Sequence, residues 1–489
     1  MHKITDNSFM KLFSSLQKNL SEIKKNLPSD DVIYHNAESN KKPFCVIYID
    51  SITDKNQLGL LVLTPLLENK ITSAASATAK LHLSNVKIIK EKNDLYTDLL
   101  SGKSILLFDG ESEAVSLDLL SFQTRAVAEP PTSVVVKGPR EGFNECIKTN
   151  ISLIRRRIKV KEMTVEMTKI GRYSQTAIAV CYIAGIVDPE IVEAVKKRLK
   201  LIDIDGLPDS SYVGKMIVEH KTSMFKQVGS TEKPDILTQK MLEGRVGIIV
   251  DGSPIVLTVP YMLIEDFQSS EDYFVNNYRA NMERGLRLFS LFFAIFLPAL
   301  FVSAQLFHLQ IIPLNFLLTI VNSVKGIPLS PSFEMFFTFL IFEILNEASV
   351  RMPKYVGMAL SIVGALVLGD TAVKAGIVST PTIMIMALSG ICLYTVPELV
   401  DSMSVLRFMY LIVAGTIGGY GIILLSAFLL LYLCSLENFG IPFLAPYAPS
   451  YKDDKKDGFY MSFITEMNER PQVLKSKNRT RLNIKDVRS

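Results

Sequence analysis

The block from residue 286 to 436 constrains this chain most. Residues 288–304, 376–397 and 408–435 carry no charged side chain, and 355–369 is a shorter apolar run ending at Asp370. A helix of roughly 20 apolar residues is enough to cross a hydrocarbon core, so these four runs read as spans. Two further pieces, 311–324 and 333–345, are short or interrupted by acids and read as broken or re-entrant elements. The alternative is a soluble domain with buried core helices, which the crowding of so many runs into one block disfavours. Ahead of residue 286 no such run occurs. The chain is therefore mixed, consistent with 48% hydrophobic and 21% charged residues and a mean hydropathy of +0.26. That composition excludes collagen-like, disordered and disulfide-framework proteins. A net charge of +4 is too small to point to nucleic acid.

Residues 1–20 alternate polar and apolar positions and do not read as a secretory signal. Arg279, Arg284 and Arg287 precede the first span, and ten Lys and Arg residues follow Pro446. By the bias of basic residues toward the cytoplasmic face, both ends are expected there, with an even number of crossings. Cys45, Cys146, Cys181, Cys392 and Cys434 are scattered, which reads as reduced thiols and no zinc site.

The first 280 residues contain a weak duplication. Ser104-Ile105-Leu106-Leu107-Phe108-Asp109-Gly110 matches Val246-Gly247-Ile248-Ile249-Val250-Asp251-Gly252, each a short apolar strand ended by an Asp-Gly turn signal. Upstream, CVIYIDSITD (45–54) resembles AVCYIAGIVD (179–188). Coincidental Asp-Gly hairpins are the alternative. The fold class expected is an α/β N-terminal region of two related subdomains, followed by an all-α polytopic transmembrane domain. The boundaries expected are a helical lead at 1–29, subdomains at 30–135 and 160–285, and a connecting helix at 136–159. A transmembrane domain of four to six helical elements at 286–436 and a basic cytoplasmic tail at 437–489 complete the chain. The connecting helix ends in Arg155-Arg156-Arg157. This triplet reads as a subunit or interdomain ion-pairing face, or alternatively as an anionic-lipid site.

No phosphate-loop, dinucleotide, nucleophile-elbow or zincin motif occurs, and the five histidines are isolated. The chain is therefore expected not to be an enzyme and to need no cofactor or metal. The membrane block is more informative. Gly357, Ser361, Ala365 and Gly369 recur every fourth residue, a small-residue stripe that allows close helix approach. Gly357, Ser361, Val363, Gly364 and Val367 are candidate pore or gate residues, because small or apolar side chains suit closure by dewetting. Plain helix packing is the other reading of the stripe. Glu343 is a further pore candidate, since an acid among apolar residues calls for an aqueous path or a partner. Glu347, Asp370 and Glu398 fit interfacial ion pairs with Arg351, Lys354 or Lys374.

Taken together, several segments resemble the A subunit of the GerA family of spore germinant receptors. They are GPREGFNECIKTNISLIRRRI (138–158), GRYSQTAIAVCYIAGIVDPEIV (171–192), TEKPDILTQKMLEGRVGIIVDGSPIVLTVP (231–260), QSSEDYF (268–274), EASVRMPKYVGMALSIVGALVLGDTAVKAGIVS (347–379) and FGIPFLAPYAP (439–449). Asn346 departs from the family's usual Arg before the Glu-Ala of that fifth segment. The resemblance implies a multi-pass protein of the spore inner membrane, partnered by a transporter-like B subunit that binds the nutrient and a lipoprotein C subunit. It also implies a homo-oligomer forming a nutrient-gated ion channel. Two alternatives remain: the A-subunit paralogue associated with the dipicolinate channel, which speeds germination without sensing nutrients, and a non-conducting scaffold. No nucleic acid is expected.

Overall fold

Each Asp-Gly pair forms the turn that closes the central strand of an antiparallel sheet. A computed structural model describes residues 11–83, 85–120, 137–351 and 367–482. The first sheet comprises β1 (Val32–Ser39), β2 (Lys42–Ile49), β3 (Val86–Ile89), β4 (Ser104–Phe108) and β5 (Ala114–Leu117). The second comprises β6 (Met163–Ile170), β7 (Thr176–Ile183), β8 (Gly229–Thr231), β9 (Val246–Val250) and β10 (Val256–Val259). Their strand orders, β1-β2-β4-β5-β3 and β6-β7-β9-β10-β8, are the same. All pairings are antiparallel.

Both faces of each sheet are covered, which is why the central strands read as continuous apolar runs. Cys45, Ile47, Ile49, Ile105 and Leu107 pack on one side, against α1 (Leu16–Asn26) and α2 (Lys92–Leu100). Phe44, Val46, Leu106 and Phe108 pack on the other, against Leu58, Val62, Leu66 and Ala77. This is the period-two alternation of a strand. In the second unit α3 (Ile147–Arg157) and α4 (Pro234–Glu243) take the places of α1 and α2. The opposite face carries the helix Pro189–Lys200.

The two units repeat each other at the level of single hydrogen bonds. Asp109 Oδ1 accepts from the Leu16 amide at 2.9 Å and Asp251 Oδ1 from the Ile147 amide at 3.1 Å, so each Asp caps the first helix of its unit. Asn19 bonds back to the Phe13 amide and carbonyl, and Asn150 does the same with Asn144. The segments read from sequence as a lead and a connector thus hold equivalent positions, each the first helix of a unit.

Beyond the second unit follow α5 (Asn277–Phe307), α6 (Leu314–Val324), α7 (Pro331–Arg351), α8 (Thr380–Leu393), α9 (Val400–Thr416) and α10 (Gly419–Ser435). Among the described residues two helices are long and apolar enough to cross a membrane, Asn277–Phe307 and Pro397–Thr416; α6, α8 and α10 are shorter. The uncharged run 408–435, expected as one span, is two helices. The chain turns at Gly418, whose φ is +75° and whose ψ is −150°, a region open almost solely to glycine. A Cβ there would lie 2.7 Å from the Phe307 ring. α10 returns along α9, with Tyr410 and Ser426 hydroxyls 2.9 Å apart.

Residues 437–482 are not a free tail. Ile441, Phe443, Ala445 and Val473 join one core with Tyr261, Ile264, Ala294, Leu406 and Leu433. The Arg470 Nε donates to the Leu242 carbonyl at 2.6 Å. The segment straps the second unit to the ends of α5, α9 and α10.

Candidate functional site

Three groups of buried charge link the parts of the chain. The first lies between the α/β units. The turn Ser29-Asp30-Asp31 adds to the edge of β6: the Asp30 amide donates to the Val165 carbonyl at 2.9 Å, and the Met167 amide to Asp30 Oδ2 at 2.8 Å. Arg155 reaches across with Nε 2.9 Å from Asp31 Oδ2 and Nη2 2.8 Å from Asp31 Oδ1. Its side chain is 1% exposed. Arg156 and Arg157 instead pair with Glu141, in the segment just ahead of their own helix. The basic triplet therefore divides: Arg155 makes a contact between units, and Arg156 and Arg157 bind Glu141.

The second group joins the second unit to α5. Asp272 is fully buried and accepts from Arg284 Nε at 3.0 Å and from Arg287 Nη2 at 2.7 Å. Arg284 also reaches Asp457 Oδ1 at 2.9 Å. One helix start thus holds both the α/β region and the C-terminal strap. Two of the three arginines read as orientation markers are neutralised here, leaving Arg279 in an exposed pair with Glu283.

Beside this junction a cleft of about 590 Å³ opens between the second unit, the strap and the start of α9. Tyr261 donates its hydroxyl to Asp266, and Lys226 pairs with Glu398 at the mouth. Burial pushes the Asp266 carboxyl up to about 7, with Lys226 and the Tyr261 hydroxyl opposing the rise. Burial also acts upward on neighbouring Glu265, but the charges of Arg245 and Lys240 outweigh it and hold that carboxyl below its usual range. Lys240 Nζ lies 2.6 Å from Glu265 Oε2. Adjacent acids on one turn thus take opposite states, one ion-paired and one poised to titrate near neutrality.

The third group lies within the helices. Glu343, on α7, meets Arg407, on α9, at 2.5 Å. The guanidinium is 2% exposed, stands 4.9 Å over the Phe339 ring and reaches Ser389 Oγ at 3.3 Å. The pore candidate is therefore an ion-pair partner, and Arg407, one residue ahead of the uncharged run, carries no mark of that role in the sequence. Glu347 pairs with Arg351 and Asp370 with Lys374, each one helical turn apart, while Glu398 takes Lys226 from the α/β region. Gly357, Ser361, Val363 and Gly364 lie outside the described residues. Val367 opens the turn Val367–Thr371. Among the described residues no group of three or more His, Cys, Asp or Glu is placed to hold a metal.

These features define a class: a duplicated antiparallel α/β region tied by buried ion pairs to a block of apolar helices. The chain belongs to the Bacillus/Clostridium GerA spore germination protein family, whose profile matches residues 18–473. It is 36% identical to spore germination protein KA of Bacillus subtilis over 96% of this chain and 88% of that protein. It is 32% identical to spore germination protein B1 of the same species, over 92% and 95%, and 31% identical to GerQA of Bacillus cereus, over 99% and 96%. Among solved structures, the N-terminal domain of the A subunit of the Bacillus megaterium spore germinant receptor GerK3 aligns with 28% identity and a TM-score of 0.41. The alignment covers 52% of this chain and 98% of that one.

Proposed function

We propose that this chain is the A subunit of a nutrient germinant receptor in the spore inner membrane. There it assembles with a transporter-like B subunit and a lipoprotein C subunit, oligomerises and forms the ion-conducting part of the complex. Its role is coupling and conduction rather than catalysis. Family membership over nearly the whole chain supports the receptor role. The observation that carries the coupling role is Asp272, buried in the α/β region and held by Arg284 and Arg287 at the start of α5. A displacement of the second unit is transmitted to a helix of 31 residues, which at 1.5 Å per residue is about 46 Å long. The helical block also leaves Phe289, Phe292, Ile423, Phe428 and Leu431 exposed, a surface suited to lipid or to neighbouring helices. Gly357, Ser361, Val363, Gly364 and Val367 remain the proposed gate.

Affinity purification of the full chain from detergent-solubilised spore membranes tests the assembly. The reading predicts co-purification of an integral transporter-like protein and a lipoprotein. Recovery of this chain without either contradicts it.

A further inference from the structure

Glu334 stands in the first turn of α7 and is fully buried. Its Oε1 accepts from the Ser379 amide and from Ser379 Oγ, both at 2.6 Å. The carboxylate therefore caps α8 while sitting at the start of its own helix. The other oxygen, Oε2, is also buried and has no hydrogen-bond partner among the described residues.

The contrast with Glu343 is informative. That acid is matched by Arg407, the ordinary way for an apolar block to hold a charge. Among the described residues no cation pairs with Glu334, although it is fully buried. The oxygens nearby are hard donors. Ser379 Oγ lies 3.0 Å from Thr382 Oγ1, and Ser379 and Thr382 are each 1% exposed. One carboxylate plus hydroxyl oxygens matches a single positive charge, and oxygen donors select alkali ions over softer metals.

We propose that Glu334, with the hydroxyl oxygens of Ser379 and Thr382, binds a desolvated monovalent alkali cation within the helical block. The site goes beyond the receptor reading and does not depend on it, because its test reads cation binding rather than germination.

The test is the melting temperature of the purified full-length protein in detergent. Sodium or potassium chloride is titrated against N-methylglucamine chloride at constant ionic strength and pH. The wild type should show a saturable rise with sodium or potassium. Glu334→Gln, which keeps an acceptor for Ser379, should lose that rise, and Ser379→Ala should need a several-fold higher cation concentration. Identical wild-type curves in all salts, or a Glu334→Gln response equal to wild type, would overturn the proposal and leave a water or a proton on Oε2. Should Glu334→Gln fail to accumulate, modification of wild-type Glu334 by dicyclohexylcarbodiimide, read by mass spectrometry, replaces it. Suppression by sodium or potassium but not N-methylglucamine supports the site. Labelling indifferent to the cation, or absent, overturns it.

Discussion

At the residue scale the chain is organised by acids whose partners lie far away in sequence. Arg155 and Asp31 are 124 positions apart, so nothing in the Arg155-Arg156-Arg157 run distinguished the arginine between units from the two that pair locally. The triplet was legible as an ion-pairing face; which member crossed was not. Arg155→Met would leave Asp31 buried without its cation, a change that typically costs about 3–5 kcal/mol. Adding Asp31→Leu should recover much of that loss. Denaturant unfolding of both variants reads this, and equal losses in the single and double mutants would contradict it. Asp266 gives a pH prediction. Its folded carboxyl is raised to about 7 by burial, so between about pH 4 and 7 the folded state keeps a proton that the unfolded chain has lost. Stability must therefore fall as pH rises through that window, at most by about 1.4 kcal/mol per unit from this group, and level off above it. Asp266→Asn should flatten that part of the melting-temperature profile, and an unchanged profile would remove Asp266 as its source.

At the element scale the strands were the most legible part. Ser104–Phe108 and Val246–Val250 are short apolar runs closed by Asp-Gly, and both are central strands followed by an antiparallel partner. What the pattern hid is that Asp109 and Asp251 cap helices 93 and 104 positions earlier, since a turn signal is local and a tertiary cap is not. Residues 408–435 misled for a related reason. Hydropathy counts apolar length and does not see a reversal whose only mark is a glycine. Gly418→Ala should destabilise the α9–α10 hairpin by about 1–3 kcal/mol, from the strained backbone, with the clash against Phe307 adding to it. Gly419→Ala, whose Cβ would come no nearer than 3.4 Å to His308 or Ser303, is the tolerant control. Thermal unfolding in detergent separates them, and equal midpoints would count against the turn.

At the scale of the whole molecule, two repeated α/β units, a helical block and a strap form one connected system. Its joints are the ion pairs at Asp31, Asp272 and Glu398. Division into a polar first part and an apolar second part was plain from composition, and duplication from two short matches. The strap was not: residues 437–482 carry many basic side chains, and only the burial of Phe443, Ala445 and Val473 shows them to be packed. The central claim is that this assembly relays a nutrient signal. Deleting its gene in the sporulating host and following phase darkening tests that most directly, with spores exposed to single nutrients and, separately, to calcium dipicolinate. The account predicts loss of the response to one nutrient class with the dipicolinate response intact. Uniform slowing across all nutrients would contradict the receptor role and favour the paralogue that accelerates germination without sensing; an unchanged response in a strain lacking every other receptor would contradict both.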